Sequence, residues 1–194
     1  MKRWFRTAVV GLAALTGLAL NTFTQATAET MVSGAQSANV TAGVWVHASA
    51  RYAGKVVGTA NPGDSIVGFC SVWGDPVGGN AKWWLIIDQT GGFAGFIGDH
   101  DIKIGNGSSC LDVGTRLSTT PPGQAIWQHS KPSVSGETYV GSVGGNYDLR
   151  TYAAARGDEY PAGTGRTLWY LVFAPDVLSG VAGFISCSNT SLSC

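Results

Sequence analysis

One pattern is written twice in this chain, and it limits the possible folds more than any other feature. The first copy runs Val44-Trp45-Val46-His47, Val56-Val57-Gly58, Trp83-Trp84-Leu85-Ile86 and Ala94-Gly95-Phe96-Ile97. The second runs Ile126-Trp127-Gln128-His129, Tyr139-Val140-Gly141, Trp169-Tyr170-Leu171-Val172 and Ala182-Gly183-Phe184-Ile185. Residues between these runs stay in register: Ile66 aligns with Leu149, Phe69 with Tyr152, Gly74 with Gly157 and Asp75 with Asp158. The register slips at Pro76–Asn80 against Glu159–Gly165, and at Gln89–Gly92 against Pro175–Gly180. These segments are turn-like, and loops of that kind absorb insertions. Two copies of one small module follow from this. Function is then sought on a surface before it is sought in a catalytic pocket.

Each module reads as β-structure. Val44–Val46, Lys55–Val57, Ser65–Phe69, Trp83–Ile87 and Phe93–Ile97 are short apolar or alternating runs, which is the signature of strands. Asn61-Pro62-Gly63-Asp64 and Gln89-Thr90-Gly91-Gly92 separate them as turns. Strands this short and this closely spaced suit a small barrel or a pair of packed sheets. The expected division is a leader over 1–28, a flexible arm or added edge strand over 29–41, a first barrel over 42–110, a linker or edge strand over 111–124, and a second barrel over 125–194.

The leader has the form of an export signal. Lys2, Arg3 and Arg6 precede an apolar run from Ala8 to Leu20, and Ala26-Thr27-Ala28 offers a small-residue cleavage site. Three of the twelve basic residues and none of the twelve acidic ones lie in it, so the remainder is acidic by three charges. Such a balance disfavours nucleic acid and anionic membranes. All four cysteines, Cys70, Cys110, Cys187 and Cys194, lie beyond the leader. In an oxidising compartment they form two disulfides. Three pairings exist. The preferred one is Cys70–Cys110 with Cys187–Cys194, one bridge per copy.

The succession Val44-Trp45-Val46-His47-Ala48-Ser49-Ala50, Lys55-Val56-Val57-Gly58-Thr59, Asn61-Pro62-Gly63-Asp64, Trp83-Trp84-Leu85-Ile86 and Gly95-Phe96-Ile97 resembles the bacterial SH3 (SH3b) family. Thr138-Tyr139-Val140-Gly141-Ser142 and Ala182-Gly183-Phe184-Ile185 make the second copy similar to a divergent member. The resemblance implies an all-β chain of two tandem small SH3-like β-barrels joined by a short linker. It also implies non-catalytic modules that bind cell-wall peptidoglycan or peptides in secreted proteins.

Trp83-Trp84 and Trp169-Tyr170 stand at the same place in the two copies. Neighbours on a strand face opposite sides, so one of each pair points into its own barrel. The pair looks like that of SH3 ligand grooves, and by this likeness Trp83 and Trp169 line a groove. The competing reading has the companion module covering them. The loops flanking such a groove bring in Tyr52, and His100 within Asp99-His100-Asp101. Trp73, in a turn-rich stretch, and Tyr160, in the insertion of the second copy, complete the ligand-binding candidates. An aromatic groove accepts extended peptides or sugar faces alike.

Catalytic signatures are missing from the sequence. It contains no Gly-x-Ser-x-Gly, no His-Glu-x-x-His and no phosphate loop. An even cysteine count leaves no thiolate for a Cys/His hydrolase. No metal ligand set and no cofactor are called for. The expected function is a secreted or wall-associated binding protein for peptidoglycan or an extended peptide. The alternative is an adaptor subunit of a larger secreted assembly, such as a toxin or protease-inhibitor complex, whose residues 29–41 add a strand to a protein partner and whose aromatic faces are buried against it.

Overall fold

The structure, a computed structural model, describes residues 29–30, 34–175 and 180–194; the leader expected over 1–28 lies outside them. The described chain is all-β. A first strand, β1 (Glu29–Thr30), is followed by β2 (Gln36–Val40), β3 (Val44–His47), β4 (Val56–Ala60), β5 (Ile66–Val77), β6 (Asn80–Asp88), β7 (Phe93–Gly98) and β8 (Ile102–Lys103). The second copy holds β9 (Thr115–Ser118), β10 (Ala125–His129), β11 (Tyr139–Gly144), β12 (Asp148–Arg156), β13 (Leu168–Ala174) and β14 (Val181–Ser186). Among the described residues the helical turns are two short 3-10 segments, Gly136–Thr138 and Cys187–Asn189.

The strands form two sheets, one of them curled as a half-barrel. Their orders are β4-β3-β7-β6-β5-β2-β8 and β11-β10-β14-β13-β12, with β9 and β1 along the free edge of β12. The two orders match over β4-β3-β7-β6-β5-β2 and β11-β10-β14-β13-β12-β9, with β8 and β1 outside the match. The match includes a leading strand that the repeat in the sequence did not reveal. Ala38 on β2 opposes Ile66, as Leu117 on β9 opposes Leu149. Of residues 29–41, Glu29–Thr30 pairs with β12, Gln36–Ala38 with β5 and Asn39–Val40 with β8. Gln36, Ser37 and Asn39 of β2 are polar, and it gives only Ala38 and Val40 to the core.

Glycine placement explains two local features. Gly78 and Gly79, with φ of 57° and 84°, close the tight β5–β6 hairpin at Val77 and Asn80, as two-residue hairpin turns require. Gly74 and Gly157 let strands β5 and β12 press against the loop after each module's first strand. A Cβ on Gly74 would lie 1.9 Å from the Ala50 carbonyl oxygen, and one on Gly157 1.8 Å from that of Pro132. The next amides use this approach: Asp75 donates to Ala50 and Asp158 to Pro132, both at 3.0 Å. This is the physical reason for the repeated Gly-Asp.

Each sheet has its own apolar cluster. Val46, Ile66, Trp84, Ile86 and Ile97 fill the first, and Ile126, Leu149, Tyr170, Val172 and Ile185 fill the second. A third cluster is shared: Phe69, Trp83, Leu85 and Phe96 meet Tyr152, Trp169, Leu171, Phe173 and Phe184. Phe96 stands edge-on to Phe173 with centroids 5.5 Å apart. The contact between copies is reciprocal. Ala94 donates its amide to Ser130 at 2.8 Å, and its counterpart Ala182 donates to Ala48, the counterpart of Ser130, at 2.9 Å. The same patch is used on both sides, as in a two-fold dimer.

Both disulfides have the pairing preferred from sequence. Cys70–Cys110 ties β5 to the segment leaving the first copy, and Cys187–Cys194 holds the C-terminal tail. Two structural disulfides indicate an oxidising, non-cytoplasmic compartment.

Candidate functional site

The site follows from how the aromatic pairs are shared out. Trp84 and Tyr170 point into their own modules, and Trp83 and Trp169 point toward the layer between the copies. Trp83 is 1% exposed, and its indole N–H donates to the Asp75 carbonyl at 2.7 Å. It lines no open groove. This corrects the SH3-like assignment of Trp83, because packing of the copies covers the face that the groove would have used. Trp169 is similarly buried, with its N–H on the Asp158 carbonyl at 2.9 Å. One edge of Trp169, however, forms the floor of a cleft.

That cleft, of about 500 Å³, belongs to the second copy and is lined by Trp127, His129, Val134, Tyr139, Tyr160 and Trp169, with Ser186 and Asn189 at one end. Strand β10 supplies Trp127 and His129. Alternation buries Ile126 and Gln128 and turns Trp127 outward, where it is 54% exposed. Tyr139, at the start of β11, meets the Trp127 ring edge-on at 4.7 Å. Tyr160 comes from the loop between β12 and β13 and leans over Trp169, with centroids 6.3 Å apart. The cleft is thus walled by four aromatic rings, a geometry suited to flat apolar groups.

Among the polar side chains of the lining, His129, Ser186 and the Trp169 indole are engaged within the protein. Ser186 Oγ donates to the Tyr160 carbonyl at 3.3 Å. His129 Nδ1 is paired with Thr138 Oγ1 at 2.8 Å, and its ring stands at 81° to Trp169. Burial pushes the His129 imidazole below its usual pKa, outweighing a backbone hydrogen bond at Ser135 that raises it. Burial thus favours the neutral form of the ring over the charged one. Glu159, exposed beside Tyr160, accepts the Gly165 amide; hydrogen bonds from Gly165 and Gly163 hold its carboxyl below the usual range. An ionised Glu159 thereby organises the loop that presents Tyr160.

The first copy has no matching ring set. Its tight Gly78-Gly79 turn replaces the Tyr160 loop, and Val56 stands where the second copy has Tyr139. Trp45, the counterpart of Trp127, is 61% exposed without that enclosure.

Of the expected residues, the structure brings Trp169 and Tyr160 together and separates the others. Tyr52 is 65% exposed, stacks on His47 at 6.4 Å and donates its amide to Asp75 Oδ2 at 3.1 Å. Trp73 lies within strand β5, not in a turn, because the hairpin with β6 continues past it through Trp73–Lys82 pairing. It stands at the lip of a second cavity of about 640 Å³ between the copies, with Arg51, Leu111 and Phe173. His100 is exposed at the end of β7, against the Gly78 turn. Its neighbour Asp99 has a structural role, accepting from the buried Trp84 indole and from Asn80 and pairing with Lys82 at 3.7 Å. Among the described residues no three potential metal-binding side chains gather.

Sequence reasoning missed Trp127, Tyr139, His129 and Val134. A signal existed: Val44 and Val46 are the apolar pair of the first copy, so the repeat itself turns Trp45 and Trp127 outward. Comparison with family models and with curated proteins returns no match for this chain.

Proposed function

We propose that this is a secreted, non-catalytic binding protein of two tandem SH3-like modules, whose second module takes a cell-wall component or an extended peptide in its aromatic cleft. The observation that carries this reading is the four-ring wall of Trp127, Tyr139, Tyr160 and Trp169 around one open cavity of about 500 Å³. The disulfides agree with export. An interior shared with the first copy gives the cleft a rigid base. The first copy acts in this reading as the docked partner that supports the second.

The adaptor alternative has less support. It calls on residues 29–41 to add a strand to a partner, whereas within the chain Glu29–Thr30 pairs with β12, Gln36–Ala38 with β5 and Asn39–Val40 with β8.

The test is co-sedimentation of the purified protein with peptidoglycan sacculi, beside a screen of extended peptides by fluorescence. Binding to either that is lost in a folded Trp127→Ala/Tyr160→Ala variant supports the reading. Binding that survives in that variant, or no binding together with co-purification of a secreted protein, refutes it.

A further inference from the structure

A second feature of the same module points to a different ligand. On the paired strands β9 and β12, Arg116 and Arg150 are directly opposed in register. Like charges placed opposite each other cost stability. The first copy supplies an internal control, since the equivalent pair on β2 and β5 is Ser37 opposite Val67. The fold therefore does not require two cations here. The chain spends two of its few arginines on a position that repels itself.

Both side chains line a cavity of about 270 Å³, with Asp148, Leu149, Tyr152, Cys110 and Leu111. Arg150 is anchored: its Nη1 donates to the carbonyls of Val113 at 3.2 Å and Gly114 at 3.4 Å. Arg116 is exposed and, among the described residues, has no side-chain hydrogen bond or ion pair. The neighbouring polar groups do not compensate for the pair. The Tyr152 hydroxyl donates to the Cys110 carbonyl at 2.7 Å. Asp148 Oδ1 accepts from Ser118 Oγ at 2.6 Å, at the register position where Asp148 opposes Ser118. Two positive charges and one negative charge therefore share the cavity wall.

We propose that Arg116 and Arg150 form a site for one small oxyanion group, a carboxylate or a phosphate. Guanidinium groups match the paired oxygens of such anions, and a charge-assisted fork is among the stronger hydrogen-bonding arrangements. An anion between the two arginines removes their repulsion, which no apolar ligand does. The cavity is smaller than typical small-molecule sites and fits a single acidic group. The source is either a carboxylate, as on a peptide terminus or an acidic sugar, or a phosphate ester.

The experiment is an amide NMR titration of the full chain, disulfides intact, with sodium phosphate and separately with sodium acetate, each against sodium chloride at constant ionic strength. Saturable shifts at Arg116, Arg150 and their strand neighbours are expected. Arg116→Gln, a surface change that leaves Arg150's anchoring bonds in place, should weaken binding about tenfold, the size of one lost charged hydrogen bond. Asp148→Asn should tighten it. Stronger binding of acetate assigns a carboxylate source and stronger binding of phosphate a phosphate ester; either supports the site. Shifts that do not saturate with either anion overturn it. So does equal affinity in a folded Arg116→Gln variant.

Discussion

His129 stands edge-on to Trp169, with ring centroids 5.6 Å apart at 81°, and the first copy repeats the relationship between His47 and Trp83 at 5.6 Å and 89°. A repeated His–Trp corner marks a packing unit of the module. In the second copy that corner also lines a cleft. Burial holds the His129 imidazole below its ordinary pKa of 6.5. The folded state therefore binds fewer protons than the unfolded chain between the folded pKa and 6.5. Stability from this group is unaffected above that window and falls as pH drops through it. Thermal melts from pH 8 to 5 should show this decline, and His129→Gln should flatten it. An unchanged slope in the variant would remove His129 as its source.

Asp88 works in the opposite direction. It is fully buried; Oδ1 accepts the Gly91 amide at 2.8 Å and Oδ2 has no partner. Burial, and then the charge of Asp64, push its pKa above 3.8. The folded state holds this proton more tightly, so the ionised form costs stability near neutrality and the cost is relieved as pH falls toward 3.8. Asp88→Asn should raise the urea midpoint at pH 7 and remove the acid-side gain. A lower midpoint at pH 7 would contradict the assignment.

The two outward tryptophans should differ in function. Trp127→Ala should weaken cleft binding at least about tenfold, the usual scale for removing an aromatic anchor. Trp45→Ala should leave binding unchanged, because no ring set encloses it. Equal losses in a fluorescence titration would mean that both copies bind.

Gly74 and Gly157 should tolerate no side chain. Alanine at either meets a carbonyl oxygen below 2 Å, a backbone clash that small side-chain motions do not relieve. A loss of about 2–3 kcal/mol in denaturant unfolding is expected for each. Gly63→Ala provides a contrast, with open space but φ of 94°, so that its cost is conformational only.

The disulfides should contribute unequally. Cys70–Cys110 closes a separation of 40 residues and Cys187–Cys194 one of 7. Loop-closure entropy assigns about 4 kcal/mol to the first and about 2 kcal/mol to the second. Paired Cys→Ala variants compared by urea unfolding should reproduce that order; the reverse order would show that strain or residual structure dominates.

Much of the fold was legible locally. Val44-Trp45-Val46 and Phe93–Ile97 announce strands through alternation and β-propensity, and Asn61-Pro62-Gly63-Asp64 announces its turn. The leading strands β2 and β9 were legible only as alternatives, an edge strand beside an arm over 29–41 and beside a linker over 111–124. Gln36–Val40 and Thr115–Ser118 bury few apolar residues, so they become strands only because β5 and β12 present unpaired edges to them. The site was half legible. Trp169 and Tyr160 were found through their aromatic character, whereas Trp83 was misplaced because a sequence does not say which face of a two-faced strand meets a companion.

The chain's sequence, by itself, determined that there are two copies of one β-module and where most strands lie. Those properties depend on alternation, turn chemistry and repetition, all of which act over a few residues. The tertiary structure decided which aromatic rings are covered and which remain open. That outcome depends on the reciprocal packing of Phe96, Phe173 and their neighbours, and on a loop long enough to bring Tyr160 over Trp169. Burial is a property of two surfaces in contact, and it arises only when the two copies close on each other.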